Sequence, residues 1–222
     1  LEEITNTKFE RSRLSIQEVK AIFQDASERV INAGVAAPVS CLQHGALIDT
    51  LIELEADIRV LVIGARGKIH ENRPDQIGAK LEAMIRSLHR PILVAYESFK
   101  TPQQIMIAYD GSETADKAVD IVANSPLYKG LHCHLVCVNK KETAEQLLQK
   151  AANVLQAGGD LDITTASLEG KTEQVLCDYQ QQHVIDMTIM GAFSHHRLRD
   201  LIFGSFTEKM LLTTRTPLLL LR

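Results

Sequence analysis

Gln104-Ile-Met-Ile-Ala-Tyr-Asp-Gly-Ser112 is the stretch whose reading decides the fold. Gln104 to Tyr109 is a short apolar run of the kind that makes a buried strand, and Asp110-Gly111-Ser112 carries the residues that end one. Thr114 to Ala123 then takes helical spacing. Strand, tight turn and helix make the opening unit of an α/β fold, and the chain beyond continues it. Leu131 to Val138 reads as a second strand. Thr143 to Ala157 reads as a helix opened by the capping-box pair Thr143 and Gln146 and closed by Gly158-Gly159. Leu161 to Leu168 is a third strand, Lys171 to Gln182 a helix and Met187 to Met190 a fourth strand. After a loop from Gly191 to Gly204 come a helix, Ser205 to Thr213, and a last strand, Pro217 to Leu221. Alternation of this kind implies parallel pairing with crossover helices on both faces of the sheet. Ligands of such sheets bind beyond the carboxyl ends of the strands, near the switch point in strand order.

Working back toward the start, the same course is found once more. Gly45, Gly64, Gly78 and Pro91 are answered by Gly170, Gly191, Gly204 and Pro217, at offsets of 125, 127, 126 and 126 residues. A fixed period makes each copy one structural unit. In the first copy Ile16 to Ala33 is a long helix, Pro38 to Leu42 a strand, Ala46 to Leu54 a helix, Val60 to Ile63 a strand, Gly78 to Leu88 a helix and Ile92 to Ala95 the closing strand. The counterpart of Gln104 to Ala123 falls before Leu1, and residues 1–14 show no strand pattern. The expectation is therefore two tandem five-stranded α/β domains, 1–100 and 101–222, the first lacking its initial strands. Open edges on such a sheet are unfavourable, so the missing piece is expected to be truncated, cleaved or unobserved.

The chain of 222 residues suits two domains of about 100 to 120 residues and carries a formal charge of −4. That charge speaks against a nucleic-acid or anionic-membrane partner, both of which need concentrated Lys and Arg. Its apolar runs are far below the roughly 20 residues of a membrane span. Cys41, Cys133, Cys137 and Cys177 form no disulfide framework, which fits a reducing cytoplasm.

The loop Gly191-Ala-Phe-Ser194, nine residues, then Gly204-Ser205 carries the candidate chemistry. Glycines let a backbone approach a phosphate, and a helix N-terminus favours an anion. Ser205-x-x-Glu208 is equally a capping box, which needs no ligand, and the two readings are compatible. Asp110 can accept a hydrogen bond from a nucleobase or ribose, or serve only as turn and helix N-cap.

Together these motifs resemble the universal stress protein family. The likeness rests on Ile107-Ala-Tyr-Asp-Gly-Ser-Glu113, Met190-Gly191, the glycine loop and Pro217-Leu-Leu-Leu-Leu221, and in the first copy runs from about Ile16 to Ala95. It implies an adenine nucleotide alpha hydrolase-like, Rossmann-like fold, and in the family's nucleotide-binding branch a site for ATP, alone or with Mg²⁺. Carried over by position, adenine would lie against Ala108, Tyr109 and Asp110 and against Cys137 or Val138. The phosphates would lie on Met190, Gly191, Ser194, Gly204 and Ser205, with Phe206 and Thr207 as further contacts. Ser194 stands where the family has its second glycine, and Tyr109 is bulkier than the small residue common there. In the first copy Gly64-Ala-Arg-Gly67 is followed by ten residues and Gly78-Ala79, one residue too long and without the final hydroxyl. That copy is expected to bind no nucleotide. The resemblance further implies contact through the closing strands, hence an internal pseudo-dimer of the two copies and a homodimer.

His195, His196, Arg197 and Arg199 offer charge to phosphates or a solvated loop. His132, Cys133, His134 and Cys137 look like metal ligands, but alternation on a strand sends the histidines to one face and the cysteines to the other. No nucleophile elbow, general base or arginine finger is evident, so any enzymatic activity is expected not to exceed slow ATP hydrolysis. The reading that follows is a cytoplasmic stress-response protein binding ATP as a regulatory ligand. A non-nucleotide-binding interaction protein of the same fold is the alternative, with a nucleotide-using enzyme third.

Overall fold

Apolar residues at successive positions of a strand point to opposite sides of the sheet, and both sides are covered only if the sheet lies between two helical layers; the computed structural model has that arrangement. It describes residues 2–43, 45–65, 79–96, 100–192 and 205–222. They divide into two compact units, Leu1–Gly45 and Ala46–Arg222.

The first unit holds α1 (Glu2–Asn32). It begins well before the expected Ile16. A helix rich in Glu, Lys and Arg draws on intrinsic propensity and spaced ion pairs, such as Asp25 with Arg29 at 3.0 Å, and needs no apolar stripe to form. The strand expected at Pro38 to Leu42 is not formed. Those residues are neither helix nor strand, and Val39 is 93% exposed. A strand is held by its ladder, and among the unit's described residues there is no other strand to pair with.

The second unit runs α2 (Leu47–Glu53), β1 (Leu61–Gly64), α3 (Ala79–Ser87), β2 (Ile92–Ala95), β3 (Gln104–Ala108), α4 (Glu113–Asn124), β4 (His132–Val138), α5 (Lys141–Gly158), β5 (Asp162–Leu168), α6 (Thr172–Gln182), β6 (Met187–Gly191), α7 (Ser205–Thr213) and β7 (Leu218–Leu221). In place of two separate five-stranded sheets there is one sheet of seven strands in the order β1-β2-β7-β6-β3-β4-β5. The chain after Lys100 contributes five mutually parallel strands, and the chain before it contributes two. The closing strands β2 and β7 join antiparallel, Leu93 opposite Leu219. Paired on both edges, β7 is buried at all four positions.

Alternation then sorts the core. Ile105, Ile107, Cys133, Leu135, Cys137 and Ile189 face α4 and α5, while Met106, Val136, Met190, Leu218 and Leu220 face α3, α6 and α7. Two helix starts differ in detail from the sequence reading. Ser112, not Asp110, caps α4 by accepting from the Ala115 amide at 3.1 Å. The Asp110 carboxylate instead accepts from the Ser112 amide at 3.0 Å, fixing the turn. At α5 the helix begins at Lys141, so Thr143 and Gln146 lie inside it and form no capping box. The α5 terminus follows expectation at Gly158 and at Gly159, where φ is +100°. A Cβ on Gly158 would run into the Ala123 backbone, which is how α4 and α5 approach so closely.

Candidate functional site

Strand order reverses at β3: the chain goes from β3 to β4 and β5 on one side, then returns to β6 and β7 on the other. Such a reversal leaves an uncovered crevice at the carboxyl ends of the central strands. A cavity of about 240 Å³ lies there. Its floor is Ala108 at the end of β3, Val136 and Val138 of β4 and Met190 and Gly191 of β6, and its walls include Asp110, Thr172, Glu173, Phe206 and Lys209.

Seven of the residues singled out in the sequence meet at this cavity: Ala108, Tyr109, Asp110, Val138, Met190, Gly191 and Phe206. Ala108 holds its place by register with Val136 on one side and Met190 on the other. The bulk of Tyr109 is directed into the α4–α5 core, where its hydroxyl donates to Asp116 at 2.6 Å. Burial, then that carboxylate, raise the phenol's pKa, so it stays a hydrogen-bond donor. Asp110 is exposed at the rim.

Cys137 is not brought to the cavity. It belongs to the α4–α5 face of the sheet, because one step along a strand reverses the side chain, and Val138 is the member of that pair on the cavity side. Thr207 is buried and donates its hydroxyl to the Ala192 carbonyl, tying the start of α7 to the end of β6. Ser205 opens α7. Ser194 and Gly204, with His195, His196, Arg197 and Arg199, lie outside the described residues, as does most of the first copy's loop.

Close approach explains Gly191. A Cβ there would collide with the Thr114 hydroxyl and lie 3.0 Å from the Thr114 Cβ, so glycine is what lets α4 pack over the end of β6.

Sequence reasoning missed Thr172, Glu173 and Lys209. Glu173 accepts from Lys209 Nζ at 2.8 Å and pairs with Lys171 Nζ at 3.3 Å. The Lys209 hydrogen bond, then the residue's own amide, hold its carboxyl down to about 2. Lys209 stands four residues after Ser205 and carries a signal in that helical spacing. Glu173 carries none, since nothing in the sequence ties the first turn of α6 to the glycine loop.

The His/Cys cluster of β4 separates as alternation requires. His132 and His134 lie side by side on one face, their ring centroids 4.2 Å apart and their planes tilted by 33°, and Cys133 and Cys137 lie on the other. No group of three or more metal-ligating side chains is found among the described residues. Among the described residues, no helix is long and apolar enough to cross a membrane.

The profile of the Universal stress protein family matches residues 138–222. Over 225 aligned residues the chain is 31% identical to the Universal stress protein Slr1230 of Synechocystis sp., covering 100% of this chain and 78% of that one. Among solved structures it is similar to a universal stress protein from Archaeoglobus fulgidus, with a TM-score of 0.70 at 14% identity over 93% of this chain and 76% of that one. A universal stress protein solved in complex with cAMP matches 55% of this chain and 98% of its own at 17% identity, with a TM-score of 0.48.

Proposed function

We propose that this chain, which belongs to the universal stress protein family, binds an adenine nucleotide, ATP in the first instance, in the cavity at the carboxyl ends of β3, β4 and β6. The observation that carries the reading is the convergence on one crevice of residues far apart in sequence, Ala108 and Asp110 from the end of β3 and the turn after it, Val138 from the end of β4 and Gly191 from the end of β6. At about 240 Å³ the space is a little under the 300 to 1,000 Å³ usual for small-molecule sites. That volume suits a nucleoside whose phosphates project toward the start of α7. Apolar Val136, Val138 and Met190 offer a surface for a base, Asp110 a hydrogen-bond acceptor for base or ribose, and the amides of a helix N-terminus a place for phosphate. Mg²⁺, where bound, would be held chiefly by the phosphates and water.

In this reading ATP is a regulatory ligand in a cytoplasmic stress response, and any hydrolysis is slow. The chain before Lys100 acts as a structural partner, the two copies forming an internal pseudo-dimer. Homodimerisation is part of the proposal. The test of the central claim is calorimetry of the intact chain with Mg-ATP. A dissociation constant in the micromolar range, about −8 kcal/mol, is expected, with a rise in melting temperature. Absence of both heat and thermal shift at millimolar nucleotide overturns the reading in favour of the interaction protein of the same fold.

A further inference from the structure

The lining of the cavity holds a charge cluster that the glycine-loop motif does not include. Glu173, in the first turn of α6, is only 17% exposed and lies between two ammonium groups, Lys209 at 2.8 Å and Lys171 at 3.3 Å. Both Glu173 and Lys209 line the cavity, whereas Lys171 does not. The Glu173–Lys209 pair also spans from α6 to α7.

A pair of this kind is easily exchanged. Lys209 is 47% exposed on its side chain, and solvent-accessible ion pairs contribute little to stability. A phosphate entering the cavity would meet the Glu173 carboxylate as a like charge and the Lys209 ammonium as an opposite one. The arrangement resolves if Lys209 turns from the carboxylate to the phosphate while Lys171 continues to neutralise Glu173. A ligand without an anionic group has nothing to offer Lys209 and leaves the pair closed.

We propose that Lys209 is the cation that reads the anionic tail of a nucleoside phosphate in this cavity, and that Glu173 holds it in the empty state, so that the pair selects phosphorylated nucleosides over neutral ones. The inference rests on the nucleotide reading of the same cavity. Glu173 remains ionised across the neutral range, since its carboxyl is held down to about 2, so the competition operates at any physiological pH.

The experiment is a set of calorimetric titrations of the full chain, wild type, Lys209→Met and Glu173→Gln, each with ATP and with adenosine, folding being checked by circular dichroism. Lys209→Met is expected to weaken ATP about 10-fold, the effect of losing one charge-assisted hydrogen bond, and to leave adenosine unchanged. Glu173→Gln is expected to tighten ATP several-fold, with adenosine again unchanged. If both ligands bind the wild type and the ratio of their affinities is the same in Lys209→Met, the selective role of the pair is overturned and the nucleotide reading stands. Weaker ATP binding in Glu173→Gln overturns the holding role of Glu173. Failure of ATP and adenosine alike to bind the wild type overturns both readings.

Discussion

His134 should make this protein acid-sensitive at a point remote from the cavity, in the first half of β4, and the size of the effect follows from its surroundings. The imidazole is 2% exposed. Its Nε2 lies 3.3 Å from Gln104 Oε1, which can only accept, so Nε2 carries the proton and Nδ1 accepts from the Tyr179 hydroxyl at 2.9 Å. The neutral ring is thus satisfied on both sides. Protonation would place a second donor against Tyr179 and a charge beside His132 and His183, with Asp162 as a partial offset. Burial, then those two histidines, lower its pKa from 6.5 to about 4. In the unfolded chain the ring takes up its proton near 6.5, so between those values the unfolded state binds more protons and stability rises with pH. The contribution is complete above about 6.5 and is lost as pH falls toward 4. A shift of this size corresponds to about 3 kcal/mol in all, and to about 2 kcal/mol between pH 7 and pH 5. Urea unfolding of wild type and His134→Gln at those two pH values isolates it, because carboxylates common to both proteins cancel in the difference. With a slope of about 2 kcal/mol per molar urea, the wild-type midpoint should drop about 1 M further than the variant's on acidification. Equal drops in the two proteins would refute the reasoning.

Two further outcomes are expected. Gly191→Ala places a methyl against Thr114 and should destabilise by about 1–3 kcal/mol, as overpacking does, with nucleotide binding weakened alongside. Chemical denaturation with and without ATP checks this, and wild-type stability in the variant would mean that α4 does not need the glycine. Of the four cysteines only Cys41 is exposed, and burial pushes the Cys133 thiol up to about 12. A thiol reagent under native conditions should therefore modify one site rapidly and the other three only on unfolding, and rapid labelling at Cys133 would contradict the packing of β4.

What was legible in the sequence was what short-range pattern can carry. The strands after Lys100 emerge within a residue or so of their expected limits, because apolar runs bounded by Gly, Asp and Pro admit few other readings. The alternation that separates His134 from Cys133 was readable too, and so was the crevice to which Ala108, Asp110 and Gly191 converge. Which strand lies beside which was not readable from local pattern, and contact through the closing strands was implied only by the family resemblance. Nothing local to Pro38 to Leu42 says that no strand stands ready to pair with it among the described residues of its unit, and nothing local to Leu218 to Leu221 says that its second edge is taken by β2. The start of α5 eluded the pattern for a different reason: Asn139 accepts from the Lys140 amide at 2.8 Å, turning the chain earlier than the Thr143 signal suggests. Glu173 was invisible because its role depends on α6 and α7 lying side by side, a consequence of the strand order and not of either helix.

The antiparallel junction of β2 with β7 bears on how the two halves divide the work. Since β1 and β2 run against the other five strands, their carboxyl ends open at the opposite edge of the sheet from the cavity. Gly64 therefore cannot do for this cavity what Gly191 does, whatever its loop spacing, and among the described residues the cavity draws its lining from those after Lys100. The earlier half touches the site by another route. Tyr96, just past β2, donates its hydroxyl to the Leu211 carbonyl at 2.9 Å, and Met84 and Ile85 of α3, with Leu88 just after it, share a core cluster with Met210 and Leu211. These contacts grip α7, the helix that begins at Ser205 and carries Lys209. What the earlier half supplies to the site is thus the position of α7, and to β7 a covered edge.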